Sequence, residues 1–360
     1  MKKLNFIIFP YRNLHFKKIF GDTVRDLQII EVLKSSSFVE NILIVDRPIS
    51  LYELALRRNH KGDNYLKNIS LDIFGPIKRR SWTENCYACL DKKINKETKD
   101  WGNTVILDFT PIAKIPISKI KHDFYWYDLI DNFTKHNRFN EKQKKLVAEK
   151  YEIVTKLANM ITGVSTAALA RFPPEKSITL PNGYFPHSKN TYSEPKYKYG
   201  FLGFITNKFD IDFIESLSRN DPDFSLLICG EILDKETSAK LRIIKNVTLH
   251  GKFSRNETPE LISCFEIGLI PYLKSKSHDG SPLKLYEYME FGRPILTSID
   301  YETQSEYIIN YNKHETRKTI EMINKIIKDN THQEKIKSLI KINDYIETKI
   351  KNIIHLIPPR

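Results

Sequence analysis

Cysteine is scarce, with four residues in a chain of 360. A disulfide framework is therefore excluded. Cys229 and Cys264 sit in apolar runs and read as core side chains. Cys86 and Cys89 form a single C-x-x-C with no second pair and no nearby histidine set, too few ligands for structural zinc. No apolar run reaches the ~18 residues of a bilayer span. The opening MKKLNFIIFPYRN has a basic tip but no small-residue cleavage site. It reads as a buried strand rather than an export leader, and a cytoplasmic location is expected. Low-complexity tracts and solenoid-length repeats are also missing, as are the usual signatures of nucleic-acid readers, so no nucleic-acid partner is expected. Asp210-Ile211-Asp212 and Asp221-Pro222-Asp223 share a cation-binding spelling. One opens a predicted helix and the other a turn, where aspartate commonly caps, so no metal is expected.

What the chain does have is a core and an uneven charge. Hydrophobic residues make up 41% and aromatics 11%, which rules out a disordered polybasic chain. Its length suggests two domains. The net charge of +13 is concentrated: residues 1–190 carry 32 Lys and Arg against 20 Asp and Glu, and residues 191–360 carry 25 against 24. Two domains with different partners follow from that asymmetry. Lys17-Lys18, Arg57-Arg58, Lys78-Arg79-Arg80 and Lys142/Lys144/Lys145 occur with Phe16, Phe20, Phe74 and Trp82 in the same half. Basic residues beside aromatics suit an anionic membrane surface, where each charge is worth ~1 kcal/mol.

Short β-rich runs alternate with amphipathic helical runs. LNFIIF (4–9), VENILIVD (39–46), TVILDF (104–109), DFYWYDL (123–129) and SITLPN (177–182) read as strands of a first domain. Between the first two, Val24, Leu27, Ile30 and Leu33 have helical spacing, and Asp22 is the expected cap. YKYGFLGF, FSLLICG, VTLHG, IGLIPY and RPILTS recur with helices between them, as in βαβ units on a parallel sheet. The segment 180–200, with Pro181, Pro186, Pro195 and an Asn-Gly turn, separates the two series. The expected fold class is α/β with two Rossmann-like domains. The boundaries are 1–185 for a first domain, 186–340 for a second and 341–360 for a C-terminal helix. Tyr345, Ile346, Ile350, Ile353 and Ile354 share one face of that helix, which must pack on something, and a return to the first domain is expected.

The chemically informative segment is 279–294. Gly280, Ser281 and Pro282 precede a predicted helix, so the N–H groups of 281–283 would face an anion at its positive end. Lys284 adds a point charge, and Glu287, one turn on, suits a ribose diol. Asp279 and Glu287 have an acidic-x7-Glu spacing, followed by Tyr288 and then Gly292-Arg293-Pro294. With Gly200–Gly203, Leu226–Gly230, Asn246–Gly251 and Pro181-Asn182-Gly183, this resembles the GT-B glycosyltransferases, most closely glycosyltransferase family 4.

The resemblance implies two domains facing a cleft and a glycosyltransferase without metal or other cofactor. It would move a hexose from a nucleoside diphosphate sugar, UDP-linked by expectation, to a lipid-linked or growing surface glycan. The location implied is the inner face of the cell membrane, and retention is favoured over inversion. Leu283 and Lys284 with Gly280, Ser281 and Pro282 would hold the diphosphate, Glu287 the ribose, and Gly251, Lys252 and Phe253 the base. Gly203 would admit the phosphates, and Lys208 would clamp them. Phe204 stands where many members carry arginine. That departure motivates the alternative, an inactive GT-B-like scaffold subunit of a membrane-associated glycan assembly complex. Asp128 and Asp131, at an aromatic strand end, and Asp279 are the expected catalytic carboxylates. Asp108 and His122 are weaker candidates for the same role. Gly21, Asp22 and Arg25 are the expected acceptor-side residues.

Overall fold

A computed structural model describes residues 3–50, 64–70, 86–136, 139–187, 194–276, 283–300 and 304–358. The chain divides into two compact units, Met1–Asn182 with Ile346–Arg360, and Gly183–Ser277 with Pro282–Tyr345. No helix among the described residues is long and apolar enough to cross a membrane.

The first unit is built on β1 (Leu4–Phe9), β2 (Val39–Val45), β3 (Ile49–Ser50), β4 (Tyr65–Leu66), β5 (Ile69–Ser70), β6 (Thr104–Asp108), β7 (Phe124–Leu129), β8 (Met160–Gly163) and β9 (Ser177–Thr179). Seven of these form one parallel sheet in the order β4-β2-β1-β6-β7-β8-β9, and β3 pairs with β5 separately. Every residue of β1 and β6 is buried, as expected for strands covered on both faces. Strand order reverses between β1 and β6, the place where doubly wound sheets bind ligands. β8 has no counterpart among the sequence expectations. Its four residues become a strand through register with β7, from Trp126 opposite Met160 to Leu129 opposite Gly163.

The helix expected after Asp22 runs Arg25–Ser35, with Val24 at its cap position and no side-chain cap. Asp22 is therefore not its cap; it lies 3.2 Å from Lys17 Nζ instead. The C-terminal helix Ile346–His355 packs on this helix and buries Ile346, Ile350, Ile353 and Ile354. Each buried isoleucine contributes about 1.5–3 kcal/mol. The His355 ring meets Phe38 edge-on at 5.4 Å.

One charged network crosses this unit. Arg25 donates Nε and Nη2 to the two carboxylate oxygens of Asp128, each at 2.8 Å, and Nη1 to Asn182 Oδ1 at 3.1 Å. Thr162 Oγ1 donates to Asp128 at 2.6 Å and accepts Trp126 Nε1–H at 2.7 Å. Lys349 Nζ reaches the Asn182 carbonyl at 3.0 Å. The ion pair thus ties a helix, β7, β8 and, through Asn182, the C-terminal helix.

The second unit holds β10 (Tyr197–Leu202), β11 (Leu226–Cys229), β12 (Val247–Gly251), β13 (Phe265–Ile270), β14 (Ile295–Thr297) and β15 (Ile308–Asn310). They form a parallel sheet in the order β12-β11-β10-β13-β14-β15, with the reversal between β10 and β13. Only the three-residue β15 lies outside the sequence expectations. Asp210 caps the helix Ile211–Asn220 by accepting Phe213 N–H at 3.2 Å. Asp221 is buried and pairs with Lys198 at 2.8 Å. Cys229 is buried, and burial pushes its thiol up to about 12, as befits an inert core residue.

Removing one partner of a buried ion pair leaves the other charge stranded, at a cost of about 3–5 kcal/mol. Arg25→Ala should destabilise the protein by that order in urea unfolding. Arg25→Met with Asp128→Leu should recover most of the loss. A single substitution costing under about 1 kcal/mol would contradict the network's role.

Candidate functional site

The second unit's site begins with a geometric problem. β10 and β13 pair in register through Gly200 opposite Gly268 and then diverge. The Leu202 N–H is left facing the widening gap. Tyr288, fully buried on the helix Lys284–Glu290, fills it: its hydroxyl accepts Leu202 N–H at 3.1 Å and donates to Leu269 O at 3.3 Å. A buried N–H without a partner would cost about 1–3 kcal/mol. The hydroxyl removes that cost and fixes the helix, with Lys284 one turn before it, at the carboxyl ends of the strands.

Lys284 Nζ donates to Tyr272 Oη at 2.6 Å and lies 5.0 Å from the centre of the Phe201 ring. Lys208 Nζ lies 4.6 Å from the centre of the Tyr272 ring. Among the described residues neither ammonium forms a salt bridge with a carboxylate. Burial pushes the Tyr272 phenol up, but Lys284 and Lys208 override it and hold the group below its ordinary range. Two cations around one phenol, with no salt-bridged acid among the described residues, make an electropositive place suited to an anion.

The backbone clears space for it. Gly203, Gly230 and Gly251 follow β10, follow β11 and end β12, and all three have positive φ. A Cβ on Gly203 would press on Lys284 Nζ at 3.1 Å. One on Gly230 would strike the Gly203 carbonyl oxygen at 2.1 Å, so only glycine fits there. Glu287 is half-buried, and among the described residues its carboxylate has no hydrogen-bond partner.

The expected site residues separate into groups. Gly203, Lys208, Leu283, Lys284 and Glu287 lie on or beside the β10/β13 reversal. Gly251 ends β12, while Lys252 beyond it is exposed and lies 3.3 Å from Glu231. Phe253 is half-buried against the hydrophobic core. Asp279, Gly280, Ser281 and Pro282 lie outside the described residues, as do Arg57, Arg58, Phe74, Lys78, Arg79, Arg80 and Trp82. Tyr272, two residues after β13, was not among the expected site residues, and no local sequence signal marks it. Glu290 was also missed: it accepts His187 N–H at 3.0 Å and meets Nδ1 at 2.6 Å, tying residues 183–187 to the same helix.

In the first unit the expected roles change. Asp128, expected as catalytic, is fully buried and saturated by Arg25 and Thr162, so it is a counter-ion. Arg25, expected on the acceptor side, is spent on the same pair and on Asn182. Asp108 is likewise buried against Lys150 at 2.7 Å. Gly21 ends the helix Leu14–Phe20 with φ of 70°, a backbone role. His122 Nδ1 lies 2.7 Å from Ile120 O. Asp131 is half-buried and accepts Asn132 N–H at 3.0 Å. Lys17, one of the expected membrane-facing lysines, is paired with Glu31 and Asp22.

Residues 207–343 match the family described as Glycosyl transferases group 1. No curated protein matches the sequence. Among solved structures, the lipopolysaccharide outer core galactosyltransferase WaaB aligns at 15% identity over 98% of both chains, with a TM-score of 0.59. Anabaena HepE in complex with UDP-glucose aligns at 13% over 98% of both, with a TM-score of 0.60. TarM aligns at 19% with a TM-score of 0.58, over 76% of this chain but only 58% of its own length. The chain has the GT-B fold, and its second unit is related to the group 1 glycosyl transferases.

A phenol whose native pKa lies below its unfolded value adds stability above the unfolded value. That increment is lost as pH falls through the native value. The wild type should therefore gain stability over Tyr272→Phe as pH rises toward the phenol's ordinary 10.0, and lose the gain toward neutrality. Urea unfolding of both proteins across that range checks it. A stability difference that does not change with pH would mean that the lysines do not hold the phenol.

Proposed function

We propose that this protein is a hexosyltransferase that takes its sugar from a nucleoside diphosphate donor bound by the second unit. The observation that carries the reading is the placement of Lys208 and Lys284 around Tyr272, beside Gly203 and one turn ahead of Glu287. In this reading the diphosphate lies over Gly203 and against both ammonium groups. Glu287 accepts hydrogen bonds from the ribose hydroxyls. As the glycosidic bond breaks, negative charge grows on the departing diphosphate. Cations already fixed at that place favour the transition state over the ground state without reorganising. Tyr272 and Phe201 supply the fixing, since lysine alone is a flexible point charge.

UDP is the nucleotide we favour, supported by the fold shared with HepE, which was crystallised with UDP-glucose. Retention is the outcome we favour, supported by the burial of Asp108 and Asp128 against Lys150 and Arg25, which leaves Asp131 as the remaining expected carboxylate among the described residues. For the acceptor we propose a lipid-linked or growing surface glycan, met at the inner face of the cell membrane. The concentration of positive charge in residues 1–190 supports that choice. WaaB, with the same fold, is a lipopolysaccharide outer core galactosyltransferase.

Calorimetric titration with UDP, GDP and CMP tests the donor site. UDP should bind, and Glu287→Ala should weaken it by about 1.5–3 kcal/mol, roughly ten- to hundredfold in Kd. Absence of binding by all three nucleotides would overturn the reading, as would UDP binding unchanged in Glu287→Ala. Donor turnover with a natural acceptor extract separates an enzyme from a nucleotide-binding scaffold.

A further inference from the structure

Away from the nucleotide site, a second group of cations stands at the carboxyl ends of β1 and β2. Pro10-Tyr11-Arg12 follows β1, and Asp46-Arg47 follows β2. The Arg12 guanidinium lies 4.6 Å from the centre of the Tyr11 ring and 4.8 Å from that of Phe16. Arg47 lies 5.5 Å from the same Tyr11 ring and donates Nη1 to the Tyr11 carbonyl at 2.9 Å. Two like charges on one ring repel each other, so their aromatic support offsets a standing cost.

The nearby carboxylates hydrogen-bond to backbone N–H groups. Asp26 Oδ2 accepts the backbone N–H of Arg12 at 2.7 Å. Asp46 Oδ1 accepts the backbone N–H groups of Leu14 at 3.0 Å and Arg47 at 2.9 Å. Burial pushes the Asp26 carboxyl up, and the Arg12 charge only partly opposes the shift, so this acid is a weak counter-ion. Among the described residues neither guanidinium forms a salt bridge, and Arg12 Nε is buried with no acceptor. Arginine's planar fork of five donors suits phosphate and carboxylate, and among the described residues most of that fork is unused in both residues.

Beside Arg47 opens a cavity of about 100 Å³, lined in part by Tyr11, Tyr87, Thr110, Phe139 and Gln143. That volume matches about three waters, room for a phosphate or carboxylate rather than a whole sugar. It also adjoins the reversal in strand order between β1 and β6, where a doubly wound sheet presents its ligand crevice.

We propose that Arg12 and Arg47 form an anion subsite in the first unit, which takes a phosphate or carboxylate group carried by the acceptor. The word acceptor rests on the transferase reading above; the preference for an anion does not. The rings of Tyr11, Tyr87 and Phe139 lie where the sugar or lipid bearing that anion would continue.

The test titrates the full chain with glucose 6-phosphate, glucuronate and uncharged glucose, with UDP present to occupy the second unit. Where UDP does not bind, Lys284→Ala provides the same background. Vesicles of phosphatidate and of phosphatidylcholine form a second arm. We expect glucose 6-phosphate or glucuronate to bind and glucose not to, with Arg12→Gln and Arg47→Gln each weakening the anion at least tenfold. Arg47→Lys, which keeps the charge but loses the fork, should weaken it less. Unchanged unfolding midpoints and UDP affinity would show that the variants are folded. Binding confined to phosphatidate vesicles and lost in both glutamine variants supports the subsite and assigns it to a lipid headgroup. The proposal is overturned if neither sugar acid nor acidic vesicles bind better than their neutral counterparts, or if both glutamine variants bind as the wild type does. Loss of UDP binding alone would count against the donor reading and leave the anion subsite standing.

Discussion

Parallel strands that must separate at a reversal of strand order leave backbone groups without partners, and the second unit is organised around one such group. Leu202 N–H points into the space between β10 and β13, where a ladder can no longer reach it. The Tyr288 hydroxyl supplies the partner and holds Leu269 O with its own proton. From that contact the rest follows. The helix Lys284–Glu290 is fixed at the carboxyl ends of the strands, Lys284 reaches Tyr272, and its ammonium comes close over Gly203, whose φ of 127° disfavours a side chain. A structural requirement of the sheet thus places the charges that give the site its chemistry.

The two units treat charge in opposite ways. In the first, Arg25 with Asp128 and Lys150 with Asp108 are buried pairs whose donors and acceptors are largely spent on the protein itself. Their effect is architectural: a helix, two strands and a C-terminal helix are held to one geometry. In the second, Lys208 and Lys284 are held by aromatic rings and a phenol, and among the described residues neither forms a salt bridge with an acid. Holding a cation by aromatic faces rather than by a carboxylate keeps its charge available to a ligand. Arg12 and Arg47, stacked on Tyr11, follow the second pattern although they lie in the first unit. The manner in which each cation is held, more than the number of cations, distinguishes scaffolding charge from binding charge.

Much of the fold was legible because its strands are apolar, branched and bounded by turn residues. LNFIIF, TVILDF and FSLLICG form buried strands where their composition places them. β8 and β15 were not legible, because runs of three or four residues take their state from the neighbour they pair with. The Asp22 cap failed for a related reason: the helix starts three residues later, and Asp22 meets Lys17 instead. The donor site was partly legible, since Lys284, Glu287 and Tyr288 lie within five residues of one another and their spacing is local. Tyr272 was not, because its meaning depends on two lysines brought from opposite directions along the chain.

The sequence by itself determined the alternation of strand and helix, the concentration of positive charge in residues 1–190, and the motif that carries Lys284 and Glu287. These are local or additive properties, so no folding is needed to read them. Only the tertiary structure decided which charges are spent and which remain available. Asp128 looked like a polar mouth and is a saturated counter-ion, while Arg12 and Arg47, unmarked in the sequence, share one aromatic ring. Whether a side chain is neutralised depends on partners as distant in sequence as Arg25 is from Asp128, and only packing brings those together.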